Sequence, residues 1–273
     1  MAIYVASPDS LLQPLVNVYL YYDQKDAVPA QTISVTGQQF LWAILDGTVK
    51  ISHPVKGGFD APPIGMIGHF THASLVEQTY PSRVAAISFK PFACHELFGF
   101  DMQIFRNYYV DISNTQIENA SLFHALRECE GIGQIKSVFD KWLLQVTQNK
   151  LQDTSLVQKI TTTIYKQHGN ISVEEILKTF AITERTLQRW FNKVIGINPK
   201  LYLRIVRFNY VLSQLEQTSL PMKTIIYKAG YFDQSHFIKD FLQFTGCNPS
   251  LFKNTPGMEA SRETVSAILK SMR

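Results

Sequence analysis

Arg185, Gln188 and Arg189 stand at a spacing that places all three on one side of a helix. A guanidinium offers two parallel N–H donors that suit guanine O6 and N7, and an amide side chain suits adenine N6 and N7. Asn192 and Lys193 continue that side by a further turn, and Leu187, Trp190, Phe191 and Val194 form the apolar face opposite. Fifty residues later a second helical stretch repeats the division, with Phe237, Phe241 and Phe244 inward and Gln234, Ser235, His236, Ile238 and Lys239 outward. Ile238 suits contact with a thymine methyl group. His236 fits either a phosphate contact or a partly packed surface position. The chemistry these residues share is the reading of base edges, in two places.

The elements that would hold them are themselves duplicated. Leu187 recurs as Phe237, Phe191 as Phe241, Gly196 as Gly246, Asn198-Pro199 as Asn248-Pro249, and Tyr202 as Phe252. Each copy opens on a residue suited to cap a helix N-terminus, Thr183 or Asp233, and closes on its glycine. Asp233 therefore reads as a cap and not as a catalytic acid, and Trp190 as core rather than as a stacking platform. A helix precedes each copy. Ser172 with a glutamate three residues on makes a capping box for the first, with a turn at Ala181-Ile182, and Pro221 opens the second, which runs to Ala229. This is the outline of two helix-turn-helix units, joined by an amphipathic helix over residues 200–217. In such a unit the N-terminal half of the second helix enters the major groove, so two of them about one DNA turn apart, roughly 34 Å, would read successive grooves.

Here the sequence resembles a known family. Gly230-Tyr231-Phe232-Asp233-Gln234-Ser235-His236-Phe237 followed by Phe241, Gly246 and Pro249 is similar to the signature of AraC-type transcription regulators. So is Thr183, Leu187, Arg189 and Phe191 followed by Gly196, Pro199 and Tyr202. The resemblance covers about residues 155–255. It implies a double helix-turn-helix domain, with base contacts carried onto Arg185, Gln188 and Arg189 and near Gln234, Ser235, Ile238 and Lys239. It also implies double-stranded DNA as partner, RNA polymerase where a member activates, and a sensory or dimerising N-terminal half that takes a small-molecule effector or makes a homodimer. The stretch Ile87–Gly99 resembles, more weakly, a segment of such sensory domains. Two departures stand out. The small alanine usual in the first helix of each unit is replaced by Leu177 and Ile226, and a position often held by arginine is Lys239, which lacks the planar fork.

Charge divides the chain in the same way. Residues 1–150 hold 10 Lys/Arg against 13 Asp/Glu, a balance of −3, whereas residues 151–273 hold 16 against 9, a balance of +7. The second half therefore suits a polyanion. The first hundred or so residues read as short strands, at Val16–Tyr22, Phe40–Leu45, Thr48–Ser52 and Val84–Phe89, with Asp46-Gly47 as a hairpin signal between the second and third. From about Ser121 the period becomes helical. The expected fold is multi-domain α+β. A mainly-β barrel or sandwich with trailing helices occupies 1–150, an all-α DNA-binding domain 151–256, and a tail or short helix 257–273.

Other function classes find less support. His69, His72 and Glu77 invite a metal-dependent cupin-like enzyme fused to a DNA-binding module, but residues three apart on a strand point to opposite faces. Cys94-His95 has no third group to make it a nucleophile. Three scattered cysteines, Cys94, Cys129 and Cys247, fit a reducing compartment. No stretch approaches the roughly 20 apolar residues of a membrane helix. The expectation is a cytoplasmic regulator, not an enzyme, with no cofactor or metal. The aromatics Trp42, Tyr80, Phe89 and Phe92 either line an effector pocket or fill a core.

Overall fold

The computed structural model describes residues 2–113, 120–217, 220–252, 263–264 and 266–268. Strands β1 (Ala2–Ala6), β2 (Val16–Gln24), β3 (Gln31–Ile33), β4 (Gln39–Asp46) and β5 (Val49–His53) come first. They are followed by β6 (Gly57–Asp60), β7 (Ile64–Ile67), β8 (Ser74–Gln78) and β9 (Ser82–Phe89). After helix α1 (Ala93–Phe98) and strand β10 (Tyr109–Asp111), the chain is helical: α2 (Ala120–Arg127), α3 (Ile132–Val146), α4 (Ser155–Lys166) and α5 (Val173–Phe180). Helix α6 (Glu184–Trp190) continues as a π turn (Phe191–Ile195), after which come α7 (Pro199–Gln217), α8 (Met222–Lys228) and α9 (Gln234–Thr245).

The strands form two antiparallel sheets, ordered β1-β2-β9-β4-β7-β10 and β3-β8-β5-β6. No closed barrel forms among the described residues, so the sandwich alternative is the one realised. Burial explains the sequence patterns. In β5 and β8 buried and exposed residues alternate, because one face of the smaller sheet meets solvent. In β2 and β9 nearly every residue is buried, because the larger sheet is covered on both sides. The outer cover includes α3, where Phe139 lies 5.2 Å from the Tyr19 ring and the Tyr19 hydroxyl donates to Asp140 (2.8 Å).

The expected hairpin at Asp46-Gly47 differs from what forms. β4 pairs with β7 and β9, whereas β5 pairs with β6 and β8. Gly47, at φ +80°, turns the chain from one sheet to the other, and the Thr48 amide donates to Thr79 Oγ1 (2.7 Å) across the corner. The turn chemistry was right, but the partners of the two strands lie elsewhere. Of the segment 257–273, only 263–264 and 266–268 are described. They are helical, Ile268 is buried, and Thr264 shares a hydrogen bond with the Tyr22 hydroxyl (2.9 Å).

Between the domains lies a polar network. Asn17 donates to Gln38 Oε1 (2.9 Å) and Gln38 to the Tyr165 hydroxyl of α4 (3.0 Å), while the Tyr165 and Tyr202 rings meet edge to face. His69 is buried beside Tyr202, and neither of its ring nitrogens finds a hydrogen-bond partner among the described residues. Burial lowers its pKa to about 3, and burial also brings that of His53 to about 4. The amides of Val55 (3.1 Å) and Lys56 (3.2 Å) donate to His53 Nδ1, which requires that nitrogen to be unprotonated. Both histidines are thus neutral when folded but take up protons near pH 6.5 when unfolded. Stability is full above that pH and falls as pH drops toward the folded values, by about 1.4 kcal/mol per pH unit for each group. Melting temperature measured from pH 7 down to pH 4.5 should fall accordingly, and His69→Phe should flatten the slope; an unchanged slope would show that His69 does not contribute.

Candidate nucleic-acid interface

Both helix-turn-helix units form through local chemistry. Ser172 Oγ accepts from the Glu175 amide (3.1 Å) and Glu175 accepts from the Ser172 amide (2.8 Å), completing the capping box of α5. Ala181 ends α5 in the left-handed conformation at φ +49°, which turns the chain toward α6. Thr183 then caps α6 by accepting from the Thr186 amide (3.2 Å). In the second unit Gly230 (φ +80°) turns the chain so tightly that a Cβ there would lie 2.1 Å from Asn170 Oδ1. Asp233 caps α9 by accepting from the His236 amide (2.7 Å). Each such cap stabilises its helix by about 1 kcal/mol.

The duplication extends to the packing. Leu187 and Phe191 are fully buried, as are Phe237 and Phe241, and Gly196 and Gly246 close both copies with positive φ. The ring pair Phe191–Tyr202, at 5.6 Å edge to face, has its counterpart in Phe241–Phe252 at 5.3 Å. The copies differ at one point: α6 widens to a π turn at Phe191–Ile195, whereas α9 stays α-helical to Thr245.

Around this core the outward residues stand as follows. Arg185, Gln188, Arg189 and Lys193 are exposed and Asn192 is half-buried. Gln188 donates to Glu184 Oε1 one turn back (3.0 Å), which presets its amide. In α9, Gln234, Ser235, His236 and Lys239 are exposed and Ile238 is half-buried. The His236 ring packs edge to face on Tyr231 (5.5 Å). Lys239 lines a cleft shared with His53 and Pro54 of the β domain.

Helices α6 and α9 dock on the β domain at their C-terminal ends. For the first, the Met102 amide donates to the Lys193 carbonyl (2.8 Å), and Gln39 reaches the Ile195 carbonyl (3.2 Å). For the second, the amides of Val35 and Ala73 donate to the carbonyls of Phe244 (2.9 Å) and Gln243 (3.0 Å). Sequence reasoning did not find Arg204 and Asp240, which hold α9 to the long helix α7. The Arg204 guanidinium donates to Asp240 Oδ1 (3.1 and 2.6 Å) and to Gln243 Oε1 (2.8 Å). Tyr231 donates to Asp240 Oδ2 (3.2 Å), and its hydroxyl pKa is pushed up by burial and by that carboxylate. A signal was present: Asp240 falls between Phe237, Phe241 and Phe244 on the apolar face, so a cation had to meet it.

The other chemical candidates separate. Cys94 is buried, with its thiol pKa raised by burial, and its sulfur lies 3.4 Å from Met66 Sδ. The His95 ring instead bonds the Phe100 carbonyl oxygen. No group of three or more His, Cys, Asp or Glu is placed to hold a metal ion among the described residues, and no described helix is long and apolar enough to cross a membrane.

A family described as a helix-turn-helix domain matches residues 176–255. The second part of this chain is an AraC-type helix-turn-helix domain. The chain is 32% identical over 92 residues to the lactose operon transcription activator of Staphylococcus xylosus, covering 34% of this chain and 32% of that protein. It is 29% identical over 101 residues to the HTH-type transcriptional activator AarP of Providencia stuartii, covering 37% of this chain and 75% of AarP. The match thus spans about a third of the length of the first of these relatives. Over the whole fold the chain is similar to an apo variant of ToxT from Vibrio cholerae, with 14% identity, 85% of this chain and 95% of that one covered, and a TM-score of 0.50. The AraC-type domain therefore comes with a β domain in a known two-domain arrangement.

Within the AraC-type domain, the buried ion pair fixes the second unit. Removing Arg204 would leave the Asp240 carboxylate, with 1% of its side chain exposed, without its cation. Arg204→Ala should lower unfolding free energy by about 3–5 kcal/mol in urea titrations. Arg204→Ala combined with Asp240→Leu should recover much of that loss, and equal losses in the single and double variants would contradict the account.

Proposed function

We propose that this protein is a sequence-specific, DNA-binding transcription regulator that reads two successive major grooves with α6 and α9. The observation that carries this reading is the pairing of two capped helices, most of whose outward residues are solvent-exposed while their apolar faces are sealed. Arg185, Gln188 and Arg189 supply base-edge donors in the first groove, and Gln234, Ser235 and Ile238 supply a less basic reader in the second. Asn192, Lys193, His236 and Lys239 would add contacts around those bases, with His236 a candidate for a phosphate. Affinity then comes largely from phosphate contacts and sequence choice from the two helices.

A small-molecule effector fits the same reading. A cavity of about 90 Å³ lies between the two sheets, walled by Tyr22, Phe40, Trp42, Val49 and Val76 and by the segment 31–38. Among the described residues no charged side chain lines it, and the buried Trp42 indole N–H has no hydrogen-bond partner. The chemistry suits an uncharged, mostly apolar molecule with one acceptor oxygen. The wall segment 31–38 is also where the DNA-binding domain docks, since Asn209 of α7 donates to the Thr36 carbonyl (2.8 Å) and a Cβ on Gly37 would lie 2.7 Å from Ile205. A ligand entering the cavity would therefore press on the seat of α7 and α9. Trp42 fluorescence reports such entry, and Trp42→Phe should abolish the signal.

The DNA-reading role is tested by selecting bound fragments from a random DNA pool with the full chain. A recovered motif of two short blocks about one turn apart is the expected result. Arg189→Ala should then cost about 1–3 kcal/mol on that motif and relax one base position. Equal loss on the motif and on random DNA would contradict base reading by Arg189.

A further inference from the structure

A second cleft lies where the β domain meets the first reading helix. One side is built by Glu184 and Gln188 of α6 and by Lys200 and Arg204 of α7, and the other by Lys56, His72 and Arg106 of the β domain. Its charges are unbalanced. Arg204 is neutralised by Asp240, and the pKa of His72 is lowered, chiefly by burial and further by Arg204, which favours the neutral ring. Among the described residues that leaves Lys56, Arg106 and Lys200 against Glu184, whose carboxylate already accepts from Gln188. Two of the three cations come from a half of the chain that carries −3 overall.

The β-domain cations are held in place. The turn carrying Lys56 is fixed by the amides of Val55 and Lys56 on His53 Nδ1, and the Lys56 ammonium sits 4.6 Å from the centroid of the Tyr108 ring. Arg106 precedes Asn107, which is buried, takes φ +63° and accepts from the Thr71 amide (2.8 Å). Lys56, Arg106 and Lys200 are all exposed. Gln188 lines this cleft and is also one of the residues assigned to base reading, so the cleft adjoins the surface given to DNA in that reading.

We propose that the β domain is itself part of the DNA-binding surface, with Lys56 and Arg106 each gripping a backbone phosphate next to the groove entered by α6. This rests on the DNA-reading role above and extends it. The two cations would add affinity without sequence choice, and they would fix the β domain against the duplex when the first unit docks.

The test measures binding of this 273-residue chain to its selected site and to random DNA over a range of salt concentrations. For Lys56→Ala/Arg106→Ala, the slope of log K against log salt should fall by about 1.8, from about 0.9 for each phosphate no longer neutralised. Affinity should drop equally on the two DNAs, in contrast to Arg189→Ala. Lys25→Ala/Lys50→Ala removes two exposed cations from the same half outside the cleft and should leave the slope as in the unmodified chain. An unchanged slope for Lys56→Ala/Arg106→Ala would overturn the proposal, as would tighter binding, which would make this face a barrier to DNA. Failure of the unmodified chain to bind either DNA would instead remove the DNA-reading role, and this proposal with it.

Discussion

A carboxylate placed on the apolar face of a helix has to be matched by a cation, and at Asp240 that requirement organises the DNA-binding half. Its side chain is almost wholly withdrawn from water, so Arg204 must approach from α7 and Tyr231 from the turn before α9. Arg204 then has a further donor for Gln243, and Gln243 in turn donates to the Thr71 carbonyl of the β domain (2.8 Å). The same guanidinium stacks 5.4 Å from the Phe244 ring. One buried charge thereby ties the linking helix, the second reading helix and the β domain into a single connected arrangement. The geometry of a planar fork is what makes the link possible, and a lysine at 204 would satisfy only part of it.

The first unit has no such ion pair at the equivalent position. Asp240 aligns with Trp190, fifty residues earlier, which is half-buried and apolar. That unit is held instead by backbone contacts of its π turn, where Lys193 and Ile195 present carbonyls to Met102 and Gln39. Gly196 can make this approach only because it lacks a Cβ, which would lie 2.5 Å from the Met102 carbonyl oxygen. The two units are thus alike in core and caps, and both meet the β domain through backbone hydrogen bonds, but the second adds a buried ion pair.

How much of this could be read in the sequence follows from the range of the interactions involved. The caps at Ser172, Thr183 and Asp233, the buried Leu187, Phe191, Phe237 and Phe241, and the glycines at 196 and 246 depend on neighbours within a few residues, and they appeared where the sequence placed them. The longer strands β2, β4, β5 and β9 were readable for the same reason. Short strands such as β3 and β10, at three residues each, carry too little pattern to register. The corner at Gly47 misled because turn chemistry specifies a reversal of the chain without specifying which strands will pair. Lys56 and Arg106 were invisible as members of a site, since only the folded chain brings residues 56 and 106 beside residue 188.

The segment 31–38 explains why a β domain and a DNA reader sharing one chain would act on each other. Its inner side walls the cavity and its outer side receives α7 at Thr36 and Gly37 and α9 at Val35. Packed interiors respond to added volume by shifting whole elements, because they have little free space in which to deform. At about 90 Å³ the cavity is smaller than the roughly 300–1,000 Å³ typical of ligand sites, so a larger occupant held wholly between the sheets must push a wall outward. The larger sheet is braced from behind by α3, whereas the segment 31–38 carries α7 and α9 on its outer side. Displacement of that wall would bear on the hydrogen bond from Val35 to Phe244 at the C-terminal end of α9. A ligand would therefore bear on α9 at Val35 and on α7 at Thr36 and Gly37, the helix that joins the two units.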